Sequence, residues 1–216
     1  GLDSKGAPNL DQEEFVSVEL GTRFENETVT AGVAGFYTRL DEAIVRVLDA
    51  GGALVPVNAS EGYLYGFEAQ GEWRFAPQWA LSGQVWWLDG QVESPATLGG
   101  ATRKDTIRRA PPLTAAASLR WTSASERFWV EGRVNAVAEA DNLSQLEKTP
   151  GNDDQRIPVN GTPGYLVPSL HGGWQATENL ALTLGLENLT DEDYRIHGSG
   201  VNEPGFNAII GVKAGW

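Results

Sequence analysis

Two histidines are the residues of this chain best suited to metal chemistry. His197 lies in a glycine-rich polar segment close after Tyr194 and Arg195, whereas His171 lies in a segment with strand-like alternation. Neutral imidazole is a common metal ligand, so a loop histidine near a tyrosine could ligate haem iron or a metal chelate. The alternative is an ordinary hydrogen-bonded loop residue. His171, Tyr194, Arg195 and His197 are therefore the candidate ligand-binding residues.

A second group of ionisable side chains lies within predicted strands. Its members are Glu68, Glu72, Glu131 and Arg133, together with a further carboxylate, Glu187. A small barrel filled with side chains could bury these groups only at a large desolvation cost, so they indicate a wide polar interior. For the first four residues we favour a structural network, paired across a lumen wall or against a plug, over a substrate site.

Other chemistry has little support in the sequence. The chain contains no Cys, which excludes disulfides and Cys-ligated metals. Its Ser, His and Asp form no nucleophile elbow or ordered triad, and its glycines match neither a P-loop nor a dinucleotide fingerprint. Asp153-Asp154, with Asp141 and Glu147, could offer oxygen ligands to a hard cation, but no spacing matches a calcium loop, and we favour a solvated acidic loop. We predict no enzymatic activity, no cofactor and no metal site.

Composition narrows the partners. The chain has 216 residues and a net charge of −13, which argues against a nucleic-acid partner because phosphate binding requires a basic surface. The same charge disfavours binding to the surface of an anionic membrane. No segment approaches the roughly 20 consecutive apolar residues of a membrane helix, whereas a membrane strand needs only about 10 residues.

Apolar residues at every second position predict an all-β protein of about nine antiparallel strands. In the eighth strand, Leu180, Leu182, Leu184 and Leu186 alternate with small or polar residues. The same alternation gives the strands one apolar and one polar face, although the second strand, residues 29–41, does not show two distinct faces in the sequence. The predicted strands are residues 14–24, 29–41, 63–75, 79–91, 113–121, 128–136, 165–174, 180–186 and 206–216.

The connections alternate between tight turns and long segments rich in Gly, Pro, Asn and Asp. The long ones are residues 40–61, 92–109, 140–163 and 187–205. Barrels of outer membranes have short periplasmic turns, long extracellular loops and aromatic girdles at both interfaces. Tyr63, Tyr65 and Trp87 could supply the girdle at the loop end. Beside the short turns lie Phe24, Trp73, Phe75, Trp79, Trp121, Phe128, Trp174 and Trp216.

Several segments, in order along nearly the whole chain, resemble the barrel of TonB-dependent outer-membrane receptors. No single one is specific, but their order is. They are Glu13-Glu14-Phe15-Val16-Ser17-Val18-Glu19-Leu20-Gly21, Phe36-Tyr37-Thr38-Arg39, Tyr65-Gly66-Phe67-Glu68, Arg109-Ala110-Pro111, Asn188-Leu189-Thr190-Asp191-Glu192-Asp193-Tyr194-Arg195 and Pro204-Gly205-Phe206-Asn207.

The resemblance implies a particular fold and size. Members of this family form barrels of about 22 strands with a plugged lumen, and nine strands cannot close such a barrel. We therefore expect residues 1–216 to form the C-terminal portion of the barrel, without the plug domain. The resemblance also implies that the last strand, with Phe206, Ile210, Val212 and the terminal Trp216, is recognised by the barrel-assembly machinery.

The resemblance further implies a function. We expect a receptor in the outer membrane of a Gram-negative bacterium that imports a scarce solute, carried as a small-molecule chelate such as an iron-siderophore or as haem. Its other partners would be outer-membrane lipid and the TonB energy-coupling complex, reached through the N-terminal part. Two alternatives remain: a soluble Trp-rich glycan-binding β-sandwich, and a small self-closed barrel acting as a porin or adhesin.

Overall fold

The computed structural model describes residues 9–151 and 156–215 and is all-β in that part. No helix within these ranges is long and apolar enough to cross a membrane. Asp153, Asp154 and Trp216 lie outside the described residues. The strands are β1 (Glu14–Glu25), β2 (Val29–Asp41), β3 (Ile44–Leu48), β4 (Leu54–Asn58), β5 (Glu61–Ala76), β6 (Trp79–Pro95), β7 (Thr102–Thr106), β8 (Thr114–Thr122), β9 (Phe128–Val137), β10 (Tyr165–Thr177), β11 (Leu180–Glu187) and β12 (Asn207–Ala214).

Nine of these strands form one antiparallel path in the order β1-β2-β5-β6-β8-β9-β10-β11-β12. Each strand of this path pairs with the path strands that precede and follow it along the chain, which confirms the nine strands predicted from alternation. β1 pairs with β2 and β12 pairs with β11, so these two strands lie at the ends of the path. Over the described residues the sheet is therefore open, unlike the self-closed small barrel considered as an alternative.

Three short strands lie where the sequence suggested only loops. β3 and β4 form a separate hairpin, and β7 pairs with the far end of β6. The hairpin turn is stabilised by Asp49, whose Oδ1 accepts hydrogen bonds from the backbone N–H groups of Gly51 and Ala53, both at 2.9 Å. Gly52 supplies the left-handed backbone of this turn, with φ of 79°, which glycine adopts without steric cost. The long connections are thus partly folded.

The apolar face of the main sheet is open. Leu20 is 82% exposed and Ile210 is 77% exposed, and they share this outward face with many other large hydrophobic residues. A β-sandwich buries the apolar faces of two sheets against each other, so this arrangement is not that of the soluble alternative. The buried hydrophobic residues lie elsewhere, mainly in the long connections, and include Ala59, Leu143 and Ile157.

Five of the aromatic residues predicted beside the short turns pack against one another in two clusters. Phe128 and Trp174 stack with ring centroids 5.8 Å apart, and Phe75 contacts both Trp73 and Trp79. One boundary needs correction, because β12 begins at Asn207 and Phe206 precedes it.

The physical reason is a hydrogen bond outside the sheet. The Phe206 backbone N–H donates to Asp191 Oδ1 at 2.8 Å rather than to β11. Ile210 and Val212 lie in β12 and are exposed on its outward face.

Candidate ligand-binding site

The polar face of the sheet lines a groove of about 940 Å³ that extends from β1 to β9. Glu68, Glu72 and Arg133 all contribute to its lining, with small residues such as Ala116 and Ser118 between them. Small side chains leave the groove open, and the ionisable groups stay in contact with water. The mid-strand charges thus lie along an open groove, and a closed lumen around them stays a prediction.

Charged residues form a ladder across β8 to β11 on this polar face. Glu131 pairs with His171 in the sheet register, and its carboxylate lies 3.6 Å from Arg120 Nη1. The His171 Nε2 atom lies 2.6 Å from Glu187 Oε1, which closes the ladder at the end of β11. Sequence alternation had placed His171 inside, and the structure agrees. Arg120 was not among the candidate residues predicted from the sequence, although its position on the polar face of β8 was a usable signal.

The four residues predicted as one lumen network fall into two groups. Glu72 pairs with Arg74 at 2.8 Å, and Glu68 lies on the same face of β5. Glu131 belongs to the β8–β11 ladder, and Arg133 Nε donates to Asn135 Oδ1 at 3.2 Å. Because β6 and β8 separate β5 from β9, the two groups line one groove without direct pairing.

The segment between β11 and β12, residues 188–206, is a structured loop built on Asn188. This side chain is 2% exposed. Its Nδ2 donates to the carbonyl groups of Glu192 and Pro204 at 2.9 and 3.1 Å, and its Oδ1 accepts from the Glu192 N–H at 2.8 Å. Asn188 has φ of 51°, a left-handed conformation that Asn tolerates better than most residues. The Asn188-Leu189-Thr190-Asp191 segment therefore fixes the loop shape.

The loop holds its candidate ligand-binding residues in three separate settings. The Tyr194 ring packs on Tyr165 with centroids 4.4 Å apart. Arg195 Nε donates to Asn202 Oδ1 at 2.9 Å, and His197 Nδ1 shares a 2.9 Å hydrogen bond with Thr162 Oγ1. The structure thus brings Tyr194, Arg195 and His197 into one loop, but places His171 in the wall with a different partner.

Burial sets the protonation of the two titratable loop residues. Desolvation raises the pKa of the Tyr194 phenol, and the negative charges of Glu203 and Glu187 add to the effect. Desolvation lowers the pKa of His197, with Arg109 acting in the same direction and Glu147 opposing it. At neutral pH both side chains are therefore uncharged, in the forms that donate or accept hydrogen bonds.

A buried carboxylate joins two other long connections below this loop. Glu147 is 1% exposed. Its Oε1 accepts a hydrogen bond from the Arg109 backbone N–H at 2.7 Å, and its Oε2 accepts from the N–H and the hydroxyl of Ser144, both at 2.8 Å. The sequence marked Glu147 only as a possible oxygen ligand of a hard cation, and its partner at Arg109 is a backbone group 38 positions away. In the described ranges, no cluster of three or more His, Cys, Asp and Glu could hold a metal ion.

Comparison with known proteins gives matches over most of the chain. The family model described as TonB dependent receptor-like, beta-barrel, matches residues 2–189. The pesticin receptor of Yersinia enterocolitica is 29% identical over 222 residues, which cover 99% of this chain and 30% of that receptor. The chain thus spans 30% of the length of this curated relative.

Two solved structures share the fold. The copper transporter OprC superposes with a TM-score of 0.79 at 18% identity, covering 96% of this chain and 32% of that one. The ferric yersiniabactin uptake receptor FyuA from Yersinia pestis superposes with a TM-score of 0.62 at 22% identity, covering 93% of this chain and 29% of that one. The nine-strand path therefore has counterparts in two membrane transport proteins.

Proposed function

The chain belongs to the TonB-dependent receptor family, and from this premise we propose that it forms part of the wall of an uptake receptor in the bacterial outer membrane. Members of this family are outer-membrane proteins of Gram-negative bacteria. The open apolar face of the sheet supports this location, because a lipid-facing wall needs such a surface. We further propose that residues 1–216 are the C-terminal portion of the barrel and that a plug domain lies outside them.

We propose an iron-siderophore as the imported solute, with haem as the alternative cargo. The observation that carries this proposal is the folded loop of residues 188–206, which holds the half-buried side chains of Tyr194, Arg195 and His197 at the loop end of the sheet. A guanidinium, a phenol and a neutral imidazole can together bind the oxygen-rich surface of a metal chelate. The names of the relatives, a pesticin receptor and a ferric yersiniabactin uptake receptor, are in line with this class.

The remaining partners follow from the same proposal. Energy for transport would come from the TonB complex, acting on the plug domain rather than on these residues. The chain's own contribution is to capture the chelate at the loops and to present a hydrated, charged groove to it. β12, with Ile210 and Val212 on its outward face, would be the strand recognised during barrel assembly.

Uptake of radioactive iron by cells tests the cargo directly. The full-length receptor, meaning the gene product that contains this chain, is expressed in a strain lacking other siderophore receptors. Wild type should import iron presented as a siderophore or as haem, and the triple variant Y194F/R195A/H197A should lose most of that uptake at equal surface abundance. The control is R103A, in β7, outside residues 188–206. Failure of wild type to import either form would contradict the cargo.

The position of the chain within the receptor has its own test. Determination of the reading frame upstream of Gly1 should reveal a globular plug-like domain followed by further alternating strands. A frame without them would contradict the assignment to the C-terminal portion, whatever the uptake assay shows.

A further inference from the structure

A second, smaller pocket lies on the outward face of the sheet, away from the groove and the last loop. It has a volume of about 220 Å³ and is formed where β2, β5, β6 and β7 meet near the loop end. Drug-sized ligands occupy sites of about 300 Å³ or more, so this pocket suits a headgroup-sized group.

A row of aromatic rings borders the pocket. Tyr37 stacks on Tyr63 with centroids 6.2 Å apart, and the row continues through Tyr65 and Trp87 to Phe67 at spacings of 6.0, 5.5 and 6.1 Å. Tyr and Trp favour the headgroup level of a membrane because their rings are amphipathic. Next to the row, toward the short turns, the outward face is apolar, with Ala69 and Val85. On the side toward the long connections, the outward face carries charged residues. The row thus marks a boundary between apolar and polar surroundings.

The lining on the polar side of this row combines donors and acceptors. Arg39 and Lys104 supply cationic hydrogen-bond donors. Glu61 and Glu93 supply carboxylate acceptors. The side-chain amide of Gln91 can both donate and accept a hydrogen bond. The charges of the two cations and the two carboxylates in the lining cancel, so the net charge of the lining does not favour an anionic ligand. Such a lining matches a ligand with many uncharged hydroxyl groups.

The polar groups can exchange their present partners at little cost. Arg39 pairs with Asp41 at 3.1 Å and Lys104 with Glu93 at 3.4 Å, and both cationic side chains are largely exposed. Ion pairs of this exposed kind contribute only about 0–1 kcal/mol. A ligand hydroxyl can therefore replace one member of a pair without a large loss.

We infer that this pocket binds a saccharide ring of a glycolipid in the outer leaflet of the membrane. The apolar face of the sugar packs on the exposed ring of Tyr37 and on the half-buried ring of Tyr63. Its hydroxyl groups bond to Arg39, Glu61 and Gln91. The acyl chains of the lipid continue along the apolar part of the outward face. This inference requires that the outward face meets lipid, but it does not depend on which solute the receptor imports.

The test uses an alkyl glycoside as the probe. The full-length receptor is purified in a polyether detergent and titrated with dodecyl maltoside, with free maltose, or with dodecyldimethylamine oxide, which has the same alkyl chain without a sugar. Bound molecules are counted by native mass spectrometry. We expect one dodecyl maltoside to be retained more strongly than either of the other two.

Two variants and a matched control locate the bound molecule. R39A and Y63L should each weaken retention about tenfold, as expected for loss of about 1.4 kcal/mol from one charge-assisted hydrogen bond or one ring contact. R74A is the control, because Arg74 is similarly exposed and pairs with a carboxylate two positions away, Glu72, but lies on the polar face. It should bind like wild type.

Three outcomes would overturn the inference. Equal retention of dodecyl maltoside and dodecyldimethylamine oxide would show that only the alkyl chain is bound. Equal retention of maltose and dodecyl maltoside would show a site for soluble sugars rather than for a glycolipid. Wild-type retention by R39A and Y63L would place the sugar elsewhere. None of these results bears on iron uptake, so they are distinct from failure of the proposed transport function.

Discussion

The two ends of the sheet are held together in different ways. At the short-turn end, tight hairpins and stacked rings such as Phe128 and Trp174 give local order, and little is buried. At the long-loop end, buried polar side chains such as Glu147 and Asn188 bond to backbone groups of the connections, at separations from 3 to 38 positions along the chain. If the outward face meets lipid, as we propose, the first end depends on that lipid for its stability, whereas the second has a small core of its own. Substitutions at the two ends can distinguish stability that comes from lipid contact from stability that comes from the buried core.

The largest effect is expected at the loop end, from removal of the buried carboxylate. E147A leaves three donors without their acceptor, the N–H groups of Arg109 and Ser144 and the Ser144 hydroxyl. Since each buried unsatisfied group costs about 1–3 kcal/mol, the local opening free energy of the surrounding connections should fall by about 3–5 kcal/mol. Hydrogen exchange of residues 138–151 measures this. The exposed neighbour variant E139A is the control, and equal exchange in the two variants would refute a loop-end core.

The next effect is expected in the wall and only through lipid. V85R places a cation on the outward face of β6, whereas Q84R places it on the polar face one residue earlier. A cation in the lipid-facing midplane costs about 2–4 kcal/mol, so refolding of the full-length receptor into vesicles should be weakened by that amount in V85R and little changed in Q84R. A similar loss in both variants would mean that the two faces do not differ in their surroundings.

A comparable but smaller loss should follow from N188A. The variant lacks three hydrogen bonds of the Asn188 side chain and places Ala in a left-handed conformation, for a combined cost of about 2–3 kcal/mol. Protease cleavage within residues 188–206 should accelerate accordingly. The matched variant N179A, in an exposed turn at the other end, should leave cleavage unchanged. Acceleration by both variants alike would remove the distinction between the ends.

The smallest effect concerns pH. Burial lowers the pKa of His197 below its ordinary value of 6.5, with Arg109 lowering it further and Glu147 raising it. The folded loop therefore favours the neutral imidazole. Its contribution is complete above pH 6.5 and is lost as the pH falls toward the lowered folded-state value. Protection factors of residues 194–203, which correct hydrogen exchange for its intrinsic dependence on pH, should be lower at pH 5 than at pH 7.5 in wild type. This difference should be absent in H197Q.

How far the sequence predicts the structure differs between the same two regions. Alternation at positions such as Leu180 to Leu186 sets the face of the strand, because a slip by one residue would turn every apolar side chain to the other face. The three short strands in the connections escaped prediction, since Ile44 to Leu48 is a brief run inside a segment rich in turn residues. Phe206 was placed in the last strand because its bond to Asp191 has no sequence signal.

The candidate site was predictable in part for the same reason. The polar-face positions of His171, Glu131 and Arg133 follow from strand parity, and the loop position of His197 follows from composition. Which partners they meet depends on sheet register and loop packing. No local sequence pattern encodes contacts between separate segments of the chain. Such contacts join His171 to Glu187 and His197 to Thr162, and they also bury Glu147.

Lipid accessibility of adjacent residues tests the central claim most directly, namely that the apolar face is the membrane-facing wall of a receptor barrel. The 216 residues contain no Cys. Single Cys residues are introduced at positions 82 to 85 of the full-length receptor, any Cys outside the 216 residues is replaced by Ser, and the introduced Cys is labelled with a fluorophore. In vesicles of brominated lipid, we predict strong quenching at positions 83 and 85 and weak quenching at positions 82 and 84. Quenching without this alternation, or strongest at positions 82 and 84, would contradict the account.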